Sequence, residues 1–414
     1  MAARLLILAD DFTGALDTGV RLALAGVATR VATLREGSPR MPRCDEPVLV
    51  IDTESRHALP GEAARRVREC VCSALGEGTT FFYKKTDSTL RGNIGAELSA
   101  LLSASGEDCL FFVPALPAAG RTTVWGVALV NGIPLNETVF AHDPLDPVTD
   151  SVVSAIIGRQ SDVAVENVPR GSDLPRGEYP GKRILVFDAE TDADLEDIGR
   201  RIKSAAVPRA TAGCSGFASV LPRLLDLPHL PVPTVHLVSP MFVVCGSLHE
   251  ASRAQVLHAE ENGLPAFVLD PGFLPAGGDL ETARRDLARR IVDALTSTGA
   301  AILKTPPSVE DRTVRRGSGE LSGGTVSRAI GGVVLEVLSQ VRPSTLVVFG
   351  GDTAFGVVEA LGIASFQPVR EISQGVVVSR AQQDGRDLHL VTKAGGFGAP
   401  DILMRVRETL GKEP

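Results

Sequence analysis

The chain has 414 residues, 44% of them hydrophobic and 22% charged, with a net charge of −8. That length suits two or three domains with ample core material. The acidic balance, the one Trp and the two Tyr argue against nucleic-acid binding, which needs basic surface and aromatic stacking.

The start, RLLILA, is an apolar run broken at once by Asp10 and Asp11, too short for a secretory segment or a membrane span. A cytoplasmic protein without a membrane partner is the expectation. The six cysteines (Cys44, Cys70, Cys72, Cys109, Cys214, Cys245) show neither CxxC nor zinc spacing, so reduced, mostly buried thiols and no metal site are expected.

The first half alternates β-like and helix-like runs. RLLILA leads to a helix from about Thr13, followed by VATRVATL; PVLVID leads to a helix from about Pro60; TFFYKK leads to one from about Gly92; then comes CLFFVPAL. Apolar runs separated by helical patterns predict a mostly parallel sheet with helices on its faces. In such sheets ligands bind beyond the carboxyl ends of the strands.

Three clusters fall at those ends. Asp10 and Asp11 stand side by side where the first strand gives way to a helix; Asp11 or Thr13 would serve as N-cap, but two adjacent carboxylates also call for a cation or hydroxyl donors. Asp52 to His57 forms a polar loop whose Arg56 suits a substrate carboxylate, or equally a surface pair with Glu54. Lys84 to Asn93 packs three cations, one carboxylate, three hydroxyls and an amide into ten residues. Such a set suits a small polyhydroxylated anion, with Lys85 and Arg91 for its carboxylate and Asp87 and Asn93 for its hydroxyls. A solvated loop in which Asp87 or Ser88 caps the next helix is the alternative.

LPHLPVPTVHLVSP, residues 227–240, carries four prolines in fourteen residues and reads as an extended linker. Domains are therefore expected at 1–228 and 241–414. Beyond the linker the alternation resumes: FVVCGS, a helix from about His249, AFVLD, a helix from about Leu280, AAILKT, a polar loop at 311–324, a helix over 326–341, TLVVFGG and LHLVTKAGG.

Two glycine-rich turns follow the last two of these strands. Gly350, Gly351, Asp352 and Thr353 sit between a strand and a helix-compatible segment, where main-chain N–H groups and the helix dipole would cradle a phosphate. An ordinary turn capped by Asp352 or Thr353 explains the same letters. Gly395 and Gly396 repeat the design before a helix from Asp401, and neither turn is a P-loop or a Rossmann G-x-G-x-x-G. Gly246-Ser247-Leu248-His249 adds a hydroxyl after the first strand of this domain, with His249 helping to start the helix.

ILADDFTGALDTG, KKTDSTLRGNIGAEL, FVPALPAAGRTTVWGVALVNGIPL, CGSLHEASRAQ, FGGDTAFGV and TKAGGFGAP, in this order, resemble the four-carbon acid sugar kinase family. The resemblance implies two α/β domains, an N-terminal one for a four-carbon sugar acid and a C-terminal one for ATP, with phosphorylation of the terminal hydroxyl. It implies that Asp11 (with Asp10 beside it), Arg56 and Lys85, Thr86, Asp87 and Ser88 surround the sugar acid, and that Ser247, Gly350 to Thr353 and Gly396 surround ATP. Where members often read GSCS, this chain reads GSLH, which leaves the choice among threonate, erythronate and an oxo derivative open.

Phosphoryl transfer is mostly positioning plus charge stabilisation, so Mg²⁺ is expected to bridge the ATP phosphates and the active site to lie in an interdomain cleft closed by the linker. Asp352 is the candidate for a water-mediated Mg²⁺ contact or for proton acceptance, and Asp87 is the rival catalytic base. A non-catalytic sugar-acid sensor and an NAD-dependent dehydrogenase are the alternatives. The oligomeric state is left open, with a homodimer as one option.

Overall fold

The computed structural model describes residues 2–34, 42, 44–143, 146–174, 181–205, 207–231, 236–247, 249–269, 280–306, 323–341, 345–383 and 385–410. Parts of the expected linker (232–235), Leu248 and most of the 311–324 loop lie outside them. The chain divides into two compact units, residues 1–232 and 233–414.

In the first unit, β1 (Leu5–Ala9), α1 (Phe12–Leu24), β2 (Thr29–Thr33), β3 (Val48–Asp52), α2 (Pro60–Glu77), β4 (Phe81–Lys85), α3 (Ile94–Ser105) and β5 (Cys109–Val113) follow the expected order. A small antiparallel meander comes next, β6 (Arg121–Val124), β7 (Val127–Val130) and β8 (Ile133–Pro134). The unit ends with α4 (Val153–Gly158), β9 (Ala164–Val168), β10 (Arg183–Phe187), α5 (Asp192–Ala205), β11 (Ala210–Gly213), α6 (Ser215–Ala218) and α7 (Leu221–Leu224). The main strands are all parallel, in the order β2-β3-β1-β4-β11-β5-β10-β9.

That order explains why β1 is an unbroken apolar run. It lies between β3 and β4 with every residue buried, because helices cover both faces of a parallel sheet. Leu6, Leu8, Ile51, Phe82, Leu98, Leu101 and Phe112 build one core on a face of this sheet.

The second unit contains β12 (Met241–Cys245), α8 (Glu250–Glu261), β13 (Ala266–Val268), α9 (Leu280–Thr298), β14 (Ala300–Lys304), α10 (Gly323–Gln340), β15 (Thr345–Phe349), α11 (Gly351–Ala360), β16 (Ser365–Ser373), β17 (Val376–Gln383), β18 (Arg386–Lys393) and α12 (Ile402–Glu408). Strands run β13-β14-β12-β15-β18-β17-β16. The first five are parallel, and β17 pairs antiparallel with both β18 and β16.

Both sheets reverse their winding at one place. After β1 the chain moves towards β2, whereas after β4 it moves towards β5 on the other side, so the crevice of the first sheet opens at the carboxyl ends of β1 and β4. By the same reasoning, β12 leads to β13 while β15 leads the opposite way, so the second crevice opens beyond β12 and β15. The polar clusters of the sequence lie at these two reversals. Among the described residues no helix is long and apolar enough to cross a membrane.

Candidate acceptor and phosphate sites

In the first unit the register pairs Ala9 with both Asp52 and Lys85, which brings Asp10-Asp11, the 53–58 loop and Thr86-Asp87 to one edge. Asp11 is the N-cap of α1, accepting from Gly14 N at 3.0 Å and from Thr13 Oγ1 at 2.8 Å. The paired carboxylates also meet the cation that their crowding demands. Arg56 Nε lies 2.7 Å from Asp10, and Nη2 lies 2.8 Å from Asp11 and 3.6 Å from Asp87. The expected surface pair of Arg56 with Glu54 is thus replaced by a largely buried guanidinium among three carboxylates.

The loop carrying Arg56 is stitched down by Thr53 N on Ala9 O (2.9 Å) and by Ser55 N and Arg56 N on Asp10 O (3.0 and 3.1 Å). Asn93 holds it from the other side: its amide donates to Ser55 O and Ala58 O, both at 2.8 Å. That amide nitrogen is committed to the loop. Gly92 has φ +84°, and a Cβ there would stand 3.1 Å from Arg56 Cγ, so only glycine lets the two segments approach.

Asp87 accepts from Thr89 Oγ1 at 2.5 Å and from Arg91 Nε at 2.8 Å. It caps no helix: α3 starts behind Asn93, without a side-chain cap bond. Burial alone would raise the Asp87 pKa, but the guanidiniums of Arg91 and Arg56 hold it well below the usual carboxylate range. For Asp10, likewise, burial works upward and is outweighed by Arg56, Lys84 and Lys85.

Adjacent residues of a strand face opposite sides of the sheet, and the two lysines of β4 divide accordingly. Lys84 is fully buried, 3.2 Å from Glu97 Oε2, and donates to Lys85 O at 2.8 Å. Lys85 lies over the start of α1, where a Cβ on Gly14 would come within 2.7 Å of its Nζ. It is 5% exposed, and its ammonium donates no hydrogen bond to a described residue. The buried Thr86 hydroxyl is also without a partner. A carboxylate with neighbouring hydroxyls is the ligand chemistry that such unspent donors suit. Ser88 beside them is half-buried.

In the second unit Cys245 pairs with Phe349 and Phe349 with Lys393, so three strand ends lie in a row. The helix α11 starts behind Gly350, whose φ of +98° and missing side chain make it the N-cap; neither Asp352 nor Thr353 fills that position. A Cβ on Gly350 would stand 3.3 Å from Ser247 Cβ, and one on Gly246 would collide with Thr353 Oγ1. Gly350 N donates to Lys393 O at 3.1 Å, joining the two glycine turns. The amides at the start of α11 have no intrahelical acceptor, and no described residue accepts from the N–H of Gly395 or Gly396. Free main-chain N–H groups of this kind suit a phosphate. His249 caps α8, its Nδ1 accepting from Ala251 N at 3.2 Å, and its ring borders Gly396. Asp352 is exposed in the first turn of α11, and its side chain makes no hydrogen bond or ion pair with a described residue.

Two residues of these sites have no role in the sequence reading. Arg121 has a buried, partnerless Nε, lies within the electrostatic reach of Asp87 and stacks, with Arg91, on the Phe140 ring. Lys393 ends β18 as a fully buried cation. The signal for Lys393 was a charge closing the apolar run LHLVT; for Arg121, the PAAGRTT stretch left without a role.

Comparison with known proteins agrees with this division of chemistry. Residues 5–221 match the family described as the sugar-binding N-terminal domain, and residues 242–403 match the nucleotide-binding C-terminal domain. A D-threonate kinase of Salmonella typhimurium is 35% identical, with 97% of this chain and 96% of that protein aligned. A 3-oxo-tetronate kinase of Methylobacterium radiotolerans is 30% identical over 99% of this chain and 100% of the relative. A D-erythronate kinase of Heliobacterium modesticaldum is 36% identical over 63% of this chain and 61% of its own. A solved Salmonella typhimurium structure, 22% identical, has the same fold, with a TM-score of 0.78 over 98% of this chain and 99% of that one.

Proposed function

Since the chain belongs to the four-carbon acid sugar kinase family and is a kinase acting on four-carbon sugar acids, we propose that it transfers the γ-phosphate of ATP to the terminal C4 hydroxyl of a tetronate such as threonate or erythronate. The observation that carries this reading is chemical complementarity. One sheet ends in an unspent lysine, Lys85, and the Thr86 hydroxyl, suited to an acidic sugar, and the other ends in unspent main-chain amides suited to a triphosphate.

In this reading Lys85 takes the sugar-acid carboxylate. Thr86 and Ser88 donate to its hydroxyls, and Asp10, Asp11 and Asp87 hold Arg56 and Arg91 in place around it. Asp87 is a weak proton acceptor, because its lone pairs are taken by Thr89 and Arg91 and its proton affinity is depressed. Its contribution is to aim cations. Asn93 acts one step further back, fixing the Arg56 loop.

ATP lies with its phosphates on the amides of Gly351, Asp352, Thr353 and Gly396, with the Ser247 hydroxyl beside Gly350. Those amides are fixed by strand and helix ends, so they need no reorganisation as charge builds on the transferring phosphoryl group. No cluster of three metal-ligating side chains occurs among the described residues. The residues present fit Mg²⁺, which would be held chiefly by phosphate oxygens and water, with the exposed Asp352 carboxylate reaching it through water. When bound, it neutralises phosphate charge. Asp352 is also the freer of the two candidate proton acceptors. ATP as donor and six unpaired thiols favour a reducing, cytoplasmic setting.

The reading is tested by coupled detection of ADP release over a panel of threonate, erythronate and 3-oxo-tetronate. Release that depends on one sugar acid supports it, and release with none refutes it.

A further inference from the structure

We propose that Lys393 is a positioning residue of the nucleotide site, pinning the Gly395 carbonyl inward so that the Gly396 N–H faces the ATP phosphates, and placing behind the turn a positive charge that the nucleotide neutralises. This inference rests on the reading of the Gly395-Gly396 turn as part of the ATP site.

Lys393 Nζ is fully buried and donates to Gly395 O and to Ser252 Oγ, both at 2.7 Å. Ser252 Oγ in turn donates to the same Gly395 carbonyl at 3.2 Å. Two donors therefore hold one carbonyl. In a trans peptide the C=O and the N–H of the next residue point in opposite directions, so fixing the Gly395 carbonyl towards the interior fixes the Gly396 N–H away from it. That N–H has no acceptor among the described residues. The His249 ring borders this glycine, since a Cβ on Gly396 would stand 3.2 Å from Nε2.

The charge balance points the same way. No described carboxylate pairs with Lys393; beyond its two hydrogen bonds its ammonium has only the face of Phe349, 4.8 Å from the ring centroid. A buried, uncompensated cation is costly, and an anion bound at the turn would offset that cost. The groups around it are the Cys245 thiol from β12, Ser252 near the start of α8 and Phe349 from β15, while the His249 ring borders the turn at Gly395 and Gly396. Burial brings the Lys393 pKa down to about 8, with Cys245 acting in the opposite direction. A nearby phosphate raises it again, so ATP binding draws in a proton near and above that pH.

Calorimetric titration of the full chain with MgATP, in buffers of different ionisation enthalpy between pH 6.5 and 9.5, tests this directly. The wild type should take up a proton on binding near pH 8 to 9, above the range of ordinary imidazoles, and its Kd should rise as pH passes about 8. Lys393→Met should raise Kd at pH 7 by roughly tenfold or more, abolish the uptake and flatten the pH profile, with the KM for the sugar acid unchanged. Wild-type binding without proton uptake overturns the proposal even if the variant does not fold. A folded Lys393→Met with unchanged Kd and pH profile overturns it too. Gly396→Val separates the premise from the inference. If that variant binds MgATP normally, the turn is not the ATP site; if it loses MgATP while Lys393→Met keeps it, only the role of the lysine falls.

Discussion

Replacing Arg56 by Met keeps most of the aliphatic stem and removes the charge from a group that is 12% exposed and sits among Asp10, Asp11 and Asp87 at 2.7, 2.8 and 3.6 Å. Removing one partner of a buried pair typically costs about 3–5 kcal/mol, because the charges left behind are neither solvated nor compensated. For a unit of this size that corresponds to a fall of about 6–20 °C in its unfolding temperature. The loss should depend on pH in a definite direction. In the wild type the Asp10 and Asp87 carboxyls lie below their ordinary value of 3.8, so their stabilising contribution is present above that pH and lost only as pH falls through the depressed values. Without the guanidinium, burial acts with less opposition and Asp10 moves upward, so the variant is most destabilised at neutral pH and recovers relative to wild type on acidification. Calorimetry of both proteins from pH 4 to pH 8 measures this. A difference below about 1 kcal/mol, the level of an exposed pair, or one that does not change with pH, would refute the buried-cluster account.

Gly350→Ala should weaken MgATP binding by roughly tenfold, with sugar-acid binding intact, since a side chain at φ +98° is strained by about 1–3 kcal/mol and its Cβ presses on Ser247 at 3.3 Å. Equilibrium titration checks it, and normal affinity in the folded variant counts against the phosphate turn. Asp87→Asn should lower kcat/KM for the sugar acid by roughly a hundredfold, about 2.7 kcal/mol, while the Kd for ATP stays unchanged. Because Arg91 and Arg56 keep this carboxyl well below the usual range, no activity change between pH 8 and pH 5 should trace to it; unchanged steady-state kinetics in the variant would dismiss the assignment.

Parallel strands such as β1, β3 and β15 were legible because each is an apolar run closed by turn chemistry, as in LLILA before Asp10 or TLVVF before Gly350. The antiparallel strands β16 and β17 were not, since SFQPVREIS mixes Pro, Arg and Glu into a strand with a half-exposed face. The meander β6–β8 and the elements α4, α6 and α7 are only two to six residues long, too short to show a period. Composition marked the polar strand ends, but partner choice was invisible to it. Arg56 takes three carboxylates from distant segments instead of Glu54 two residues away, and Asn93 spends its amide on a loop more than thirty positions upstream. The alternation of Lys84 and Lys85 across β4 turns one lysine to Glu97 and leaves the other to the site, a distinction set by sheet register.

The central claim is that a tetronate accepts the γ-phosphate of ATP. Incubating the full chain with γ-³²P-labelled ATP, Mg²⁺ and each tetronate in turn, and resolving the products, tests it most directly. The account predicts label on the C4 oxygen of one sugar acid, in step with ADP release. ATP left intact with every tetronate, or label released only as inorganic phosphate, would contradict it.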